Sequence, residues 1–193
     1  MASDQDEGLL ARLQAGDRSA IAEIDRRYGQ ELRLFCQRMV YNETLAEDIV
    51  QDVLMACCQA RQAARPSGSL RGWLYRVARN RSIDELRKLH PKARLSALQT
   101  SREAWSHPVI PIDPSTTPAG RAVKQDRTRR VQLAIDAMDD DLREVVILYF
   151  FQGLSRGEVA EAVSLSLAGT KARLAKAARV LREKLRALDD SSL

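Results

Sequence analysis

Apolar residues recur three or four positions apart over most of the chain, a spacing that predicts helices rather than strands. The first such stretch is GLLARLQAG, which pauses at Gly16-Asp17. The pattern resumes through SAIAEIDRRYGQELRLFCQRMVY, where Ile21, Ile24, Tyr28, Leu32, Phe35 and Met39 mark the core face of one long helix. Asn42 is placed to close that helix in a left-handed conformation, and Thr44-Leu45-Ala46-Glu47 then has the spacing of a capping box. The helix it opens carries Ile49, Val53, Ala56, Cys57 and Ala60 on its apolar stripe, and it ends before the breaker Pro66-Ser67-Gly68. Ser69 caps the next element, SLRGWLYRVARNRSIDELRK, in which Leu70, Trp73, Leu74, Val77 and Ala78 share one side.

Periodicity fails from His90 to about Asp126, where SHPVIPIDPSTTPAG sets Pro108, Pro111, Pro114 and Pro118 among small polar residues. This predicts a linker. Its apolar Trp105, Val109, Ile110 and Ile112 are unusual for a passive tether, and they read equally as a docking segment. Helical pattern returns at Arg127 with Val131, Ala134, Ile135 and Met138, followed by the strongly apolar LREVVILYFFQG, stopped at Gly153. Ser155-Arg156-Gly157-Glu158 is a second capping box and opens a short helix through Val159, Ala160 and Val163. After a break at Ser164-Leu165-Ser166, the last helix carries Leu174, Ala178, Leu181, Leu185 and Leu188 on one face and directs Arg173, Lys176 and Arg179 away from it. A short helix, a tight turn and a longer helix with a basic outer face make the helix-turn-helix layout. The fold class is therefore all-α: two small helical domains, 1–89 and 127–193, joined by a flexible linker over 90–126.

Composition agrees with packed helical domains. The 193 residues are 45% hydrophobic but only 5% aromatic, with 30% charged, which excludes disorder throughout and disfavours a sheet of short strands. Lys plus Arg number 31 against 26 Asp plus Glu, a formal +5 that suits an anionic partner without requiring one. No apolar run is long enough to cross a bilayer, and MASDQDEGLL is acidic where a secretory signal is basic and then apolar, so the chain is expected in the cytoplasm without membrane insertion. Cys36, Cys57 and Cys58 form no CxxC pair, and His90 and His107 are isolated, which predicts reduced thiols and no metal site. There is no Gly-rich phosphate loop and no nucleophile elbow. Neither catalysis nor a cofactor is expected.

The helix after Ser69 holds the clearest chemistry. Arg76, Asn80 and Arg87, with Asp84 close by, fall on one side of it at 100° per residue. Guanidinium groups grip phosphate in a fork and an amide pairs with a base edge, so this row suits a nucleic-acid strand; a solvated basic face is the plainer alternative. Trp73 reads as core, whereas Tyr75 could stack a base or fill core. The preceding helix has the opposite character, since Glu43, Glu47, Asp48, Gln51 and Asp52 crowd its start and outer face. Those acids either stabilise the positive end of the helix dipole or meet a protein partner.

Taken in order, AEDIVQDVLMA (46 to 56), LRGWLYRVARNRSIDELRK (70 to 88), LREVVILYFFQGLSRGEVAEAV (142 to 163) and the basic last helix resemble the bacterial extracytoplasmic-function (ECF) sigma factors. The resemblance covers about residues 9 to 89 and 127 to 188 and leaves the linker unmatched. It implies a non-enzymatic specificity subunit that binds core RNA polymerase, recognises two promoter elements and melts DNA at the upstream edge of the bubble. On matching positions, Glu47, Asp48, Ile49, Gln51 and Asp52 are implied to meet the clamp helices of the largest polymerase subunit. Arg76, Asn80, Asp84, Arg87 and Lys88 are implied to face the minus-ten element, with the loop Gln62 to Ser69 around a flipped base. Lys171, Arg173 and Lys176 are implied at the minus-thirty-five element. Further implied partners are the flap of the second-largest subunit and an anti-sigma factor held between the two domains. The chain departs from the family pattern at the turn residue Ser164, at Ala168-Gly169-Thr170 and at Ala178. The competing function is a helix-turn-helix regulator that acts without polymerase, for which neither the acidic stretch nor WLYRVARN would be needed.

Overall fold

The computed structural model describes residues 2–59, 68–88 and 129–190, and every regular element among them is helical. The amino-terminal group comprises α1 (Ala2–Gln14), α2 (Ser19–Val40), α3 (Glu43–Gln59) and α4 (Leu70–Lys88). The carboxy-terminal group comprises α5 (129–136), α6 (Asp140–Val146), which runs on into a π-helical turn at Ile147–Phe151, α7 (Arg156–Ala162) and α8 (Leu167–Asp190). The linker at 90–126, with Trp105, Val109, Ile110 and Ile112, lies outside the described residues, as does most of the loop Gln62 to Ser69.

The long helix α2 is the axis of the first bundle, and the periodic face predicts its interior. Ile24, Leu32 and Phe35 are completely buried, with Tyr28 and Met39 nearly so. Burying each such side chain contributes about 1.5–3 kcal/mol. Leu9 and Leu13 lay α1 on this face, and the buried Asp6 accepts a 2.6 Å hydrogen bond from the Tyr28 hydroxyl with Arg27 3.3 Å away. The turn into α2 uses Gly16 at φ 84°, a conformation open to glycine. Next to it Asp17 accepts from the Ser19 hydroxyl and from Arg12, which together hold its pKa down at about 2.

The junction between α2 and α3 differs from the sequence expectation by one residue at the end of α2 and by two at the cap of α3. Tyr41, not Asn42, takes the left-handed conformation, at φ 55°, and its N–H donates to the Gln37 carbonyl at 2.9 Å. Asn42 instead caps α3 by accepting from the Leu45 N–H at 2.9 Å, so the helix begins before the Thr44 box. Asn is the stronger N-cap, and the Tyr41 ring is held by the Arg143 guanidinium 5.5 Å from its centroid.

Elsewhere the predicted punctuation stands. Ser69 Oγ accepts from the Gly72 N–H at 2.9 Å, and Ser155 and Glu158 satisfy each other's backbone donors in a complete capping box. Gly153 stops the π turn at φ 64°, and Ser164 supplies the left-handed turn residue at φ 55° that the helix-turn-helix requires. On α8 the inward residues are Leu174 and Ala177, while Ala178 is half-buried. The two bundles touch: α4 packs on α7, and one apolar cluster runs from Leu70 and Leu74 to Leu148, Leu154 and Val159.

Candidate nucleic-acid interface

On α3 the expected acidic surface forms with one exception. Glu47, Asp48, Gln51 and Asp52 are exposed, but Ile49 is only 2% exposed and is corrected to a core residue. The reason is helical phase: Ile49 shares the inward side with Ala46, Val50 and Val53, and its apolar burial outweighs any outward contact. Asp52 lies 3.7 Å from Arg81 Nε on α4, which sets the acidic row beside the basic helix.

On α4 the predicted row is assembled. Asn80, Asp84, Arg87 and Lys88 are exposed and Arg76 is half-buried. Arg87 lies 3.6 Å from Asp84, and Lys88 donates to Glu85 at 2.5 Å, which raises the lysine pKa. Such exposed pairs contribute little and exchange readily for a phosphate, so they hold the cations extended without committing them.

Both aromatics of this helix are structural. Tyr75 is completely buried, stands edge-on to Phe35 with ring centroids 5.2 Å apart, and donates to Gln152 Oε1 at 3.1 Å. Burial, followed by the nearby Glu31 carboxylate, raises its pKa. Trp73 is half-buried against the core cluster. The Tyr75 ring is therefore not presented for stacking.

On α8, Ser166 Oγ caps the helix by accepting from the Gly169 N–H at 3.0 Å, and Thr170 is turned inward. Lys171 and Lys176 are exposed. Arg173 is less free: its side chain is 29% exposed and sits 3.6 Å from Asp141.

A set of contacts absent from the sequence reading joins the bundles. Arg79 pairs with Glu144, whose side chain is 5% exposed; burial raises the pKa of that carboxyl and the guanidinium opposes the rise. The Ser69 N–H donates to Glu161 Oε2 at 3.0 Å and its hydroxyl to Glu158 Oε1 at 3.3 Å. Arg71 donates to the Gln152 carbonyl at 2.6 Å and to Glu31 at 2.8 Å. No local signal marks these contacts, because a carboxylate on an amphipathic helix reads as solvated until its neighbour across the fold is known. Among the described residues no helix is long and apolar enough to cross a membrane.

An acidic row thus lies beside a basic helix in one bundle, and a short helix, a tight turn and a longer helix form a helix-turn-helix in the other. Two matched families divide the chain in the same way: Sigma-70 region 2 matches residues 24–91, and Sigma-70, region 4 matches residues 128–181. The ECF RNA polymerase sigma factor SigX of Bacillus subtilis is 30% identical over 161 residues, covering 83% of this chain and 81% of that protein. A solved structure of CnrH in complex with the cytosolic domain of CnrY has a similar fold, with a TM-score of 0.64, 24% identity and coverage of 97% of this chain and 99% of that one. The sigma factor RpoE in complex with the anti-sigma factor NepR from Bartonella quintana is also similar, with a TM-score of 0.55, 22% identity and coverage of 85% and 97%. The chain belongs to the ECF RNA polymerase sigma factor family and is an alternative sigma factor.

Proposed function

We propose that residues 1–89 bind core polymerase and the minus-ten element while residues 127–193 bind the minus-thirty-five element, with 90–126 spanning between them. Glu47, Asp48, Gln51 and Asp52 face the clamp helices of the largest subunit. Arg76, Asn80, Asp84, Arg87 and Lys88 line the strand being separated, where Asn80 reads a base edge and the cations hold phosphate. Lys171, Arg173 and Lys176 meet the upstream major groove, and the polymerase flap receives the carboxy-terminal bundle. An anti-sigma factor controls access to these surfaces, a role supported by the complex formed by the similar RpoE.

The observation that carries this reading is the outward acidic row of α3 set directly against α4 through Asp52 and Arg81. A regulator acting without polymerase has no use for that pairing of surfaces. The test is run-off transcription from a genomic library with core polymerase, with and without the purified chain. New start sites that appear only with the chain support the proposal. Promoter binding by the chain alone, without any new transcript, would establish the polymerase-independent regulator instead.

A further inference from the structure

Arg79 and Asn80 are neighbours on α4, the first half-buried and the second exposed. The Arg79 guanidinium is engaged at two points: its Nε donates to Glu144, and its Nη1 donates to Asn80 Oδ1 at 3.4 Å. A guanidinium carries donors only, so the amide can meet it through the carbonyl oxygen alone. Turning the amide over would set N–H against N–H. At 3.4 Å the bond is weak in itself, but choosing between an attractive and a repulsive orientation of one amide needs little energy.

That orientation fixes what Asn80 offers to a ligand. Its Oδ1 faces Arg79, and among the described residues no acceptor takes its Nδ2. Asp84, the carboxylate one turn further along the same face, lies 3.6 Å from Arg87 instead. Asn80 therefore presents a donor outward, where a freely turning amide presents a donor and an acceptor together. A donor suits a base carbonyl oxygen, which guanine, thymine and cytosine carry and adenine lacks. The paired contact by which an amide holds adenine uses its oxygen and its nitrogen at once, and Arg79 turns the oxygen away.

We infer that Arg79 is a positioning residue for base recognition: it sets the Asn80 amide with its donor outward, so that Asn80 selects a base bearing a carbonyl oxygen against adenine. The inference rests on the minus-ten role proposed above for Asn80; Arg79 itself is assigned no contact with DNA. The contact between them is made within α4 and needs no residue of the carboxy-terminal bundle.

The test uses holoenzyme on a promoter recovered by the genomic run-off, randomised over its minus-ten element, each template carrying a transcribed barcode. Counting barcodes gives the base preference at every position. The position whose preference disappears in Asn80→Ala is the one Asn80 reads, and there the wild type is expected to disfavour adenine. Arg79→Met keeps the stem and removes the donors. It should raise the relative use of adenine at that position about fivefold, the lower end of what a good base contact discriminates, and leave the other positions unchanged. Adding Arg79→Met to Asn80→Ala should change the preference no further, as expected of two residues acting as one unit. Arg81→Met removes the same charge from an exposed site on the same helix and should leave that preference intact. Asn80→Asp leaves Arg79 in place: a carboxylate keeps the contact with the guanidinium but has no donor, so the preference should be lost as in Asn80→Ala.

An unchanged preference in Arg79→Met, or a wild-type preference retained by Asn80→Asp, overturns the positioning role and leaves base reading by Asn80 standing. Flattening at every position alike, matched by Arg81→Met, reduces Arg79 to a contribution of charge and overturns it too. Wild-type preference for adenine at the Asn80 position overturns the outward donor. If Asn80→Ala alters no position, the base-reading role of Asn80 falls and this inference falls with it.

Discussion

Tyr75 and Phe35 meet edge to face, their ring planes inclined at 73°, while the Tyr75 hydroxyl reaches across to Gln152 in the other bundle. One side chain therefore serves two kinds of packing, and two substitutions separate them. Tyr75→Phe keeps the ring and loses the hydrogen bond, and should cost about 1 kcal/mol. Tyr75→Ala empties the core position and should cost about 3–5 kcal/mol. Denaturant unfolding of the full chain measures both, and equal losses would show that the ring contributes nothing beyond its hydroxyl.

Asp48→Arg and Asp52→Arg place a cation in the row proposed for the clamp helices, on a helix whose cap and buried side they leave intact. Like-charge contact should weaken holoenzyme by several kcal/mol, with helicity unchanged. Co-elution with core polymerase on a sizing column gives the answer. Mutant complex at wild-type yield would remove this surface from the assignment.

Asn80→Ala and Arg87→Ala act on the exposed row of α4 and should both reduce open-complex formation, seen as weaker permanganate reactivity in the bubble. Asn80 should alter base preference, whereas Arg87 should lower affinity for all sequences and flatten the salt dependence. Arg173→Ala should chiefly weaken closed-complex binding, and by less than Asn80→Ala affects melting. Arg173 already shares its charge with Asp141 3.6 Å away, and a guanidinium so engaged gives up part of what DNA would supply. Normal melting by Asn80→Ala with complete loss of binding by Arg173→Ala would place specificity in the carboxy-terminal bundle.

The thiols should separate by burial. Cys58 is exposed, whereas Cys36 and Cys57 are buried and burial raises both pKa values from 9.0 to about 12. A disulfide reagent at pH 8 should therefore titrate one thiol quickly and the other two only on unfolding. The linkage has a definite sign. Above about pH 9 the unfolded chain loses these protons and the folded chain keeps them, so stability should fall as pH rises through that range. Rapid reaction of all three thiols in the folded chain would contradict the buried placement.

Much of this was legible along the chain because it is local or periodic. The face of α2, the caps at Ser69 and Ser155, the stop at Gly153 and the turn at Ser164 follow from side-chain spacing and backbone chemistry within a few residues. The exposed members of the α3 and α4 rows follow from helical phase in the same way. Phase also excludes Ile49, since a side chain between Ala46, Val50 and Val53 cannot face both the core and a partner. What the sequence could not decide was the fate of residues at the edge of a stripe. Tyr75 became core because Phe35 and Gln152 arrive from α2 and from the end of the π turn, both distant in sequence. The same holds for Glu144 and Glu161: each is an ordinary helical carboxylate until the carboxy-terminal bundle settles on α4, and only that docking buries one against Arg79 and seats the other between Gly68 and Gly72. Local spacing determines which helices form and which sides they bury; long-range packing determines which charges meet, because Coulombic partners are chosen by distance in space and desolvation, neither of which is written in a window of neighbouring residues.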